Sequence, residues 1–358
     1  MPIGGAVSGL LLLTLLLPNL LLAEQPATYA SAQQAFAQKN YLDAARLFSK
    51  VASEEAALPP LSRSDALLME ARCFFRAGKS AQAEPPLRAY LAENSRSAPA
   101  LYLLGVVLQS ENKPGDSLHA FTQAAALSTP RAEDLRLVAL DYVLLNDYAD
   151  AVRWLKRAVA DDTANAEAWY DLGRANMHQG DFIESEHDFQ RVLSINPNEP
   201  RALNNLGLSY EAQNRTGEAL AAYTHAVEAQ KSSLHASEQP LLNLGALLNT
   251  KSRFDEAVAA LQQAVAMGPD CSRCHEELSR AFAGKGQSPE AIKEMERAVA
   301  LDANNAALHY QLARLYRRAG MADRAQQELK VSADLYGSRS STLGEGRSAS
   351  QKADDGKP

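Results

Sequence analysis

This chain has few cysteines and few aromatic residues, and it carries no excess of basic charge. Only 6% of its 358 residues are aromatic, so we expect alanine and leucine to fill most contacts between elements. The formal net charge is −7 and no basic stripe could follow a phosphate backbone, which disfavours nucleic-acid binding. Only two of the three cysteines lie close together in sequence, and these two with one neighbouring histidine are too few ligands for a zinc site. Composition therefore gives no sign of a nucleic-acid-binding or zinc-binding protein.

Catalytic motifs are missing as well. Gly284-Lys285-Gly286 lacks the framework of a phosphate-binding loop, and His275-Glu276-Glu277 has no second histidine to complete a zinc-protease helix. His178 and His187 lie on either side of a helical turn, and a solvent-facing role explains them better than a ligand role. The sequence therefore predicts a protein that is not an enzyme and has no cofactor.

What the chain does contain is a repeat of 34 residues, and the clearest copy runs from Ala166 to Glu199. Its apolar spacing predicts two helices, separated by a turn at residues 179–181, and the second helix ends near Asn196-Pro197. Neither helix could bury its apolar face alone. This copy is organised around five residues whose template positions recur in other copies: Trp169, Leu172, Gly173, Phe189 and Pro197.

Nine frames fit this pattern: 25–58, 64–97, 98–131, 132–165, 166–199, 200–233, 238–271, 272–305 and 306–339. The frame 64–97 departs most, because Glu70 replaces the usual leucine and Pro85-Pro86 is expected to interrupt its second helix. Leu234 to Ser237 are inserted between two frames and are expected to lengthen a helix or its loop.

Four frames place glycine at the eighth position, within the first helix, although glycine is unfavourable there. We expect the paired helix to approach closely at this position, and we expect Trp169 at the fourth position to belong to the core. The four glycines are Gly105, Gly173, Gly207 and Gly245.

The repeat resembles the tetratricopeptide repeat family. This resemblance implies an all-α fold, an α-solenoid wound as a right-handed superhelix of about nine helix-turn-helix repeats between Gln25 and Arg339. It also implies a non-enzymatic scaffold that binds a protein or peptide. The sequence does not identify that partner. The family's carboxylate-clamp variant needs a lysine at the fifth position, and no frame has one, so binding to chaperone tails is disfavoured.

In this family the first helix of each pair lines a concave groove, and the groove-facing template positions imply a set of partner-binding residues. Arginine and amide side chains suit carboxylates and peptide backbone, which favours an acidic or carboxylate-bearing segment as ligand. Asparagine and tyrosine are also common at these positions in the family, which leaves a purely structural role open. The implied residues are Arg72, Tyr102, Arg136, Tyr170, Arg174, Asn204, Asn205, Asn243, Arg280, Tyr310, Arg314 and Arg317.

Both ends of the chain differ from the repeats. Residues 1–23 carry no charged side chain, and the apolar run from Leu10 to Leu17 precedes a plausible cleavage site at Leu21-Leu22-Ala23, which predicts a signal peptide and export to a bacterial periplasm or the cell exterior. The alternative is an uncleaved anchor that associates with a membrane. A eukaryotic secretory route would make Asn214-Arg215-Thr216 a glycosylation acceptor. Residues 340–358 are rich in glycine, serine and charge, which predicts a disordered tail.

Cys271-Ser272-Arg273-Cys274-His275 matches the haem attachment pattern and supports an alternative function, a periplasmic haem-c-bearing or thiol redox protein. The repeat offers another explanation, because Cys274 and His275 fall at its third and fourth, packing positions. A Cys271–Cys274 disulfide in an oxidising compartment is the prediction that we favour. Cys73 falls at the tenth position and is expected to be a small buried thiol.

Overall fold

The computed structural model describes residues 27–53, 63–232 and 236–337. Across these ranges the regular secondary structure is entirely helical, which confirms the all-α prediction. The chain divides near residue 130 into two compact units, called here the N-terminal unit and the C-terminal unit. The predicted signal segment and the predicted tail at 340–358 lie outside the described residues.

The N-terminal unit is built from three pairs of helices. Each helix packs against the next, and Phe48, Leu87 and Phe121 are among its fully buried side chains. The helices are α1 (Ala27–Ala37), α2 (Tyr41–Ser53), α3 (Arg63–Arg76), α4 (Ser80–Glu93), α5 (Ala98–Ser110) and α6 (Pro114–Ala125).

The prediction that Pro85-Pro86 interrupts a helix is wrong, because α4 continues through both prolines. Each proline removes one backbone donor from the helix. Burial stabilises the segment, since Pro86 is buried beside Ala83 and Leu87, neither of which is exposed. Packing therefore outweighs the local preference of the two prolines to break a helix.

The C-terminal unit continues the alternation of paired helices. Its helices are α7 (Ala132–Leu144), α8 (Tyr148–Asp161), α9 (Ala166–Gln179), α10 (Phe182–Ile195), α11 (Pro200–Ala212), α12 (Thr216–Ala229), α13 (Gln239–Thr250), α14 (Phe254–Met267), α15 (Ser272–Gly284), α16 (Ser288–Leu301), α17 (Ala306–Arg318) and α18 (322–337). A short 3-10 helix, Gln230–Ser232, follows α12 just before the inserted segment.

The turn within each pair contains a residue of positive φ at the fifteenth position of its frame. This left-handed conformation reverses the chain between the two helices and favours glycine or asparagine. The residues are Lys39, Gly78, Asn112, Asn146, Gly180, Asn214, Ser252, Gly286 and Gly320. Seven of these nine residues are glycine or asparagine, a turn signal that the template residues alone did not reveal.

The glycines at the eighth position lie where two helices approach each other. A Cβ atom on Gly207 would stand 2.5 Å from the ring of Tyr223, and one on Gly245 would stand 2.4 Å from Leu261. Both neighbours are buried, so they have little room to move. The expected close approach is confirmed.

Trp169 differs from the prediction that it belongs to the core. It is only partly buried, packs between two apolar clusters, and its indole nitrogen donates to the carbonyl oxygen of Thr163 at 3.1 Å. The large side chain that fills this part of the core is Phe189, which has no exposed surface.

Candidate functional site

Three successive first helices of the C-terminal unit, α9, α11 and α13, carry a connected set of uncharged polar side chains. Asn205 donates to the hydroxyl oxygen of Tyr170 at 3.0 Å, and Asn243 donates to Oδ1 of Asn204 at 2.9 Å. Gln239 in turn donates to Oδ1 of Asn243 at 3.0 Å. We call Tyr170, Asn204, Asn205, Gln239 and Asn243 the amide strip. Four of the five were predicted from the sequence, and Gln239 was not.

A cleft of about 550 Å³ is lined by every residue of the amide strip except Asn243, which is buried. Its wall includes Ser237 of the inserted segment. The backbone nitrogen of Ser237 donates to the side-chain oxygen of the buried Gln230 at 3.2 Å, which holds Ser237 beside the cleft. The cleft is lined by Tyr170, Glu199, Pro200, Arg201, Asn204, Asn205, Gln230, Ser237, Gln239 and Pro240. We call this space the amide cleft.

Arg201 lines the amide cleft but is already bound to carboxylates. Its guanidinium group donates to Glu199 and to Glu167 at 2.8 Å each, and it stacks on the ring of Tyr170 at 4.7 Å from the centroid. Burial raises the pKa of Tyr170, opposed by the nearby charges of Arg174 and Arg201. The Tyr170 hydroxyl therefore stays protonated near neutral pH and can donate a hydrogen bond.

Arg136, a predicted groove residue on α7, is held by two carboxylates of the chain itself. Its guanidinium group lies 2.6 Å from Asp171 and 2.8 Å from Glu133. The hydrogen bond to Glu133, followed by those with Asp171, raises the pKa of Arg136 against the effect of its burial. Burial raises the pKa of Asp171, and Arg136 opposes that shift. A partner carboxylate would have to displace one of these contacts.

Arg280 on α15 is similarly paired, with Glu277 at 3.1 Å and Glu276 at 3.5 Å. Glu277 is buried and also accepts from Asn249 at 3.0 Å, while Glu276 accepts from Gln311 at 2.8 Å. The carboxylates were missed by sequence reasoning, although template positions two, five and six pointed to them. They are Glu133, Glu167, Asp171, Glu276 and Glu277.

The remaining predicted residues have more exposed side chains. Arg174 is exposed one helical turn from Tyr170 and forms no ion pair with any residue that the structure describes. Tyr310 and Arg314 are exposed on α17, where the guanidinium group lies 6.0 Å from the tyrosine ring. Arg317 is exposed on the same helix.

Two predicted residues belong to the N-terminal unit. Tyr102 is partly buried, with its ring 6.1 Å from that of Phe121, and Arg72 is exposed on α3. Neither residue lines the amide cleft, so the candidate site is confined to the C-terminal unit.

The cysteine and histidine residues of the haem-like motif are engaged with one another and with their neighbours. Cys271 and Cys274 form a disulfide, as predicted, and Cys274 is fully buried. In the imidazole of His275, Nδ1 lies 2.7 Å from Oε2 of Glu294 and Nε2 lies 3.2 Å from the carbonyl oxygen of Pro269. With the sulfurs joined and both ring nitrogens in contact, these residues do not fit a haem attachment site.

His309 repeats this arrangement in the next frame. Its Nδ1 lies 2.6 Å from Glu328 and its Nε2 lies 3.0 Å from the carbonyl oxygen of Ala303. Because His309 has no neighbouring cysteine, the shared geometry indicates that histidine at the fourth position joins the two helices of a pair. The structural explanation of His275 therefore accounts for it without a cofactor.

The described ranges lack two kinds of feature. They contain no group of three or more histidine, cysteine, aspartate or glutamate side chains that could hold a metal ion. No helix in the same ranges is both long and apolar enough to cross a membrane. The apolar N-terminal run was not part of those ranges.

Models of known protein families match most of the chain. One, described as the middle TPR-like domain of cilia and flagella-associated protein 70, matches residues 135–283. Two tetratricopeptide repeat models match residues 29–99 and 282–335. The matches extend into both units.

One relative matches part of the chain at low sequence identity. Anaphase-promoting complex subunit 3 of Schizosaccharomyces pombe is 28% identical over 137 residues, which are 38% of this chain and 20% of that protein. This chain therefore matches only about a fifth of that relative's length.

Two solved bacterial structures are similar in fold. The C-terminal part of a TPR repeat-containing protein from Cytophaga hutchinsonii has a TM-score of 0.57 at 16% identity, covering 70% of this chain and 99% of that one. A tetratricopeptide repeat protein from Parabacteroides merdae has a TM-score of 0.56 at 15% identity, covering 75% and 98%. At these identities the likeness shows the fold alone.

Proposed function

Because the chain belongs to the tetratricopeptide repeat family, we propose that it is a non-enzymatic scaffold whose amide cleft binds an extended, carboxylate-bearing polypeptide segment. The observation that carries this proposal is the amide strip beneath an open cleft. Its side chains span three successive helices and are uncharged, so a ligand can bind without displacing an ion pair.

The amide strip has hydrogen-bonding capacity to spare. Each asparagine or glutamine side chain offers two donor hydrogens and an oxygen with two lone pairs. In the strip, Asn205 uses one donor for Tyr170, and Asn243 uses one donor for Asn204 and its oxygen for Gln239. Asn205 and Gln239 line the cleft and are not buried, so their remaining donors and acceptors can pair with the N–H and C=O groups of an extended peptide backbone. This pairing would be largely independent of the ligand's side chains.

Arg174 lies one helical turn from Tyr170, outside the lining of the cleft, and supplies the preference for a carboxylate. It is exposed on the same helix as Tyr170 and forms no ion pair with the residues described, in contrast to Arg136 and Arg201. Its guanidinium group can therefore donate two parallel hydrogen bonds to a carboxylate of the ligand. A C-terminal carboxylate or an acidic side chain of the bound segment would satisfy it.

We also propose that the protein is exported and acts in an oxidising compartment. The apolar run from Leu10 to Leu17, with no charged residue before Glu24, supports this location. The Cys271–Cys274 disulfide supports it independently, because disulfides persist in such compartments. An uncleaved N-terminal segment would instead hold the scaffold at a membrane.

The binding proposal is tested with linear peptides that have free carboxyl termini, selected from a random library against the full chain. The dissociation constant of a selected peptide is measured by fluorescence polarisation for wild type, Arg174→Ala and Tyr170→Phe. A charge-assisted hydrogen bond contributes about 1.5–3 kcal/mol, so Arg174→Ala should weaken binding roughly ten- to a hundredfold. Thermal stability should change little, as expected for an exposed side chain.

Arg72→Ala is the matched control, because Arg72 is exposed at the same ninth template position but lies in the N-terminal unit. It should leave the dissociation constant unchanged. If Arg174→Ala and Tyr170→Phe bind like wild type while a substitution on a second helix, such as Arg157→Ala on α8, abolishes binding, the amide cleft is not the binding site.

A further inference from the structure

The two cysteines at the start of α15 differ in their access to solvent. Cys271 is the N-cap residue and is partly exposed, whereas Cys274, in the first turn, is completely buried. The disulfide joins them across that turn. Of the two residues, Cys271 is therefore the more accessible to a reagent that approaches from solvent.

The end of the helix favours a negative charge on the accessible sulfur. Cys271 Sγ accepts a hydrogen bond from the backbone nitrogen of Cys274 at 3.1 Å. Unsatisfied backbone N–H groups give a helix N-terminus a partial positive charge, which lowers the pKa of a cysteine placed there. The side chain of Arg273 is exposed between the two cysteines and adds a positive charge.

We propose that Cys271 and Cys274 form a thiol–disulfide exchange site, with Cys271 as the sulfur that is attacked and Cys274 as the sulfur that leaves. The substrate class is a dithiol, either a small molecule or a protein with two neighbouring cysteines. This activity is independent of peptide binding in the amide cleft.

In the first step a thiolate of the dithiol attacks Cys271 Sγ, and a new S–S bond forms as the Cys271–Cys274 bond breaks. Cys274 takes the electron pair and then a proton. The second thiolate of the dithiol attacks the mixed disulfide and releases Cys271 as a thiolate. The dithiol is thereby oxidised to a disulfide, and the cysteine pair is reduced to two thiols.

The folded repeat can accept both oxidation states. The sulfur of Cys271 can accept the hydrogen bond from Cys274 as a thiolate as well as in the disulfide, so the cap of α15 does not require the bond. Cys274 stands at the third template position, where Ala168 and Ala202 are fully buried in other frames. A small uncharged side chain therefore fits this position, and the protonated thiol of reduced Cys274 is such a side chain.

The chain also contains a cysteine that serves as an internal control. Cys73 on α3 is fully buried, and its burial, with a smaller effect of Glu70, raises its pKa to about 11. The thiolate is the reactive form of cysteine, so Cys73 should not react in the folded protein.

The test uses the full chain in native buffer. The protein is incubated with dithiothreitol without denaturant, free thiols are alkylated with iodoacetamide, and modified residues are identified by mass spectrometry. We expect Cys271 to be alkylated, which shows that the disulfide has been reduced, and the buried Cys274 and Cys73 to remain unmodified, while circular dichroism stays helical. Reduction that occurs only when denaturant unfolds the chain would show that the disulfide is purely structural.

Single variants test which sulfur is attacked. In Cys274→Ala, Cys271 should form a mixed disulfide with oxidised glutathione at least tenfold faster than Cys274 does in Cys271→Ser. Both replacements suit their positions, since alanine occurs at the third position and serine is a preferred N-cap residue. Equal rates in the two folded variants would overturn the assignment.

Discussion

The amide strip and the arginine–carboxylate pairs lie on first helices of the same unit, yet they use their polar groups differently. Asn205 and Asn243 bond to side chains of the preceding first helix and keep unused donors and acceptors. Arg136 bonds to Asp171 of the next first helix and to Glu133. A groove-facing arginine is thus available to a ligand only where neither its own helix nor the neighbouring repeat places a carboxylate beside it.

The arginine–carboxylate pairs also differ from one another in burial. The side chain of Arg136 is only 18% exposed, whereas that of Arg280 is 47% exposed although both are paired with carboxylates. A buried ion pair is costly to break because the remaining charge has no partner, and an exposed pair contributes little. The comparison therefore predicts unequal effects from equivalent substitutions.

The largest expected effect comes from removing the core residue beneath both arrangements. Phe189 is fully buried, packs against Gly173 and lies 5.8 Å from the ring of Tyr170. Phe189→Ala should lower the free energy of unfolding by about 3–5 kcal/mol. The measurement is the urea-unfolding midpoint, followed by circular dichroism.

This substitution should also weaken peptide binding, because α9 carries both Tyr170 and Asp171. Phe189→Leu is the matched control and should cost less than about 1.5 kcal/mol, since it keeps most of the buried volume. Equal unfolding midpoints for Phe189→Ala and wild type would mean that Phe189 does not stabilise the position of α9.

The next effect separates the buried pair from the exposed one. Arg136→Ala should lower the free energy of unfolding by about 2–3 kcal/mol at neutral pH, because Asp171 would be left buried without its cation. Chemical denaturation at pH 7 measures the loss. The double variant Arg136→Ala/Asp171→Asn should recover part of it, since the uncompensated charge is gone.

Arg280→Ala is the comparison variant on the same face. Its side chain is more exposed, and the buried Glu277 would keep the hydrogen bond from Asn249, so the loss should be smaller than for Arg136→Ala. If the two arginine variants lost equal stability, burial would not distinguish the pairs.

The smallest of the three effects concerns Asp188 on α10, a buried carboxylate that receives a hydrogen bond from an amide rather than from an arginine. Asn176 donates to it at 2.7 Å, and burial raises its pKa to about 6. In the unfolded chain an aspartate has a pKa of about 3.9. Asp188→Asn should therefore raise the free energy of unfolding at pH 7 by about 2 kcal/mol, because the buried charge is removed.

The sign of the pH dependence follows from the raised pKa. Below about pH 4 the carboxyl group is neutral in both states and its contribution to stability is fully present; this contribution is lost as the pH rises through about 6. Wild type and Asp188→Asn should thus have similar unfolding midpoints near pH 4 and diverge by pH 7. Parallel pH profiles for the two proteins would contradict the assignment.

Much of the fold could be predicted because the repeat is local in sequence. The apolar spacing of 166–199 indicated both helices, and the glycines at the eighth position indicated where helices approach. The continuous α4 could not be predicted, because the preference of Pro85 and Pro86 to end a helix is local while the burial of Pro86 and Leu87 depends on neighbouring helices.

The candidate site was predictable in part. Tyr170, Asn204, Asn205 and Asn243 were identified from template positions, and the structure brings them together through hydrogen bonds. The availability of the arginines was not predictable from their own positions. Asp171 is 35 residues from Arg136, so their contact depends on how two repeats pack.

The sequence by itself determined the helix pairs, their turns and the residues that could face a groove, because helical periodicity and turn conformations are set over a few neighbouring residues. Only the tertiary structure decided which polar groups are already bonded and where a cleft opens. The reason is that these properties depend on distances between side chains from different repeats, such as Ser237 folded back to Gln230 and Asn243 reaching Asn204.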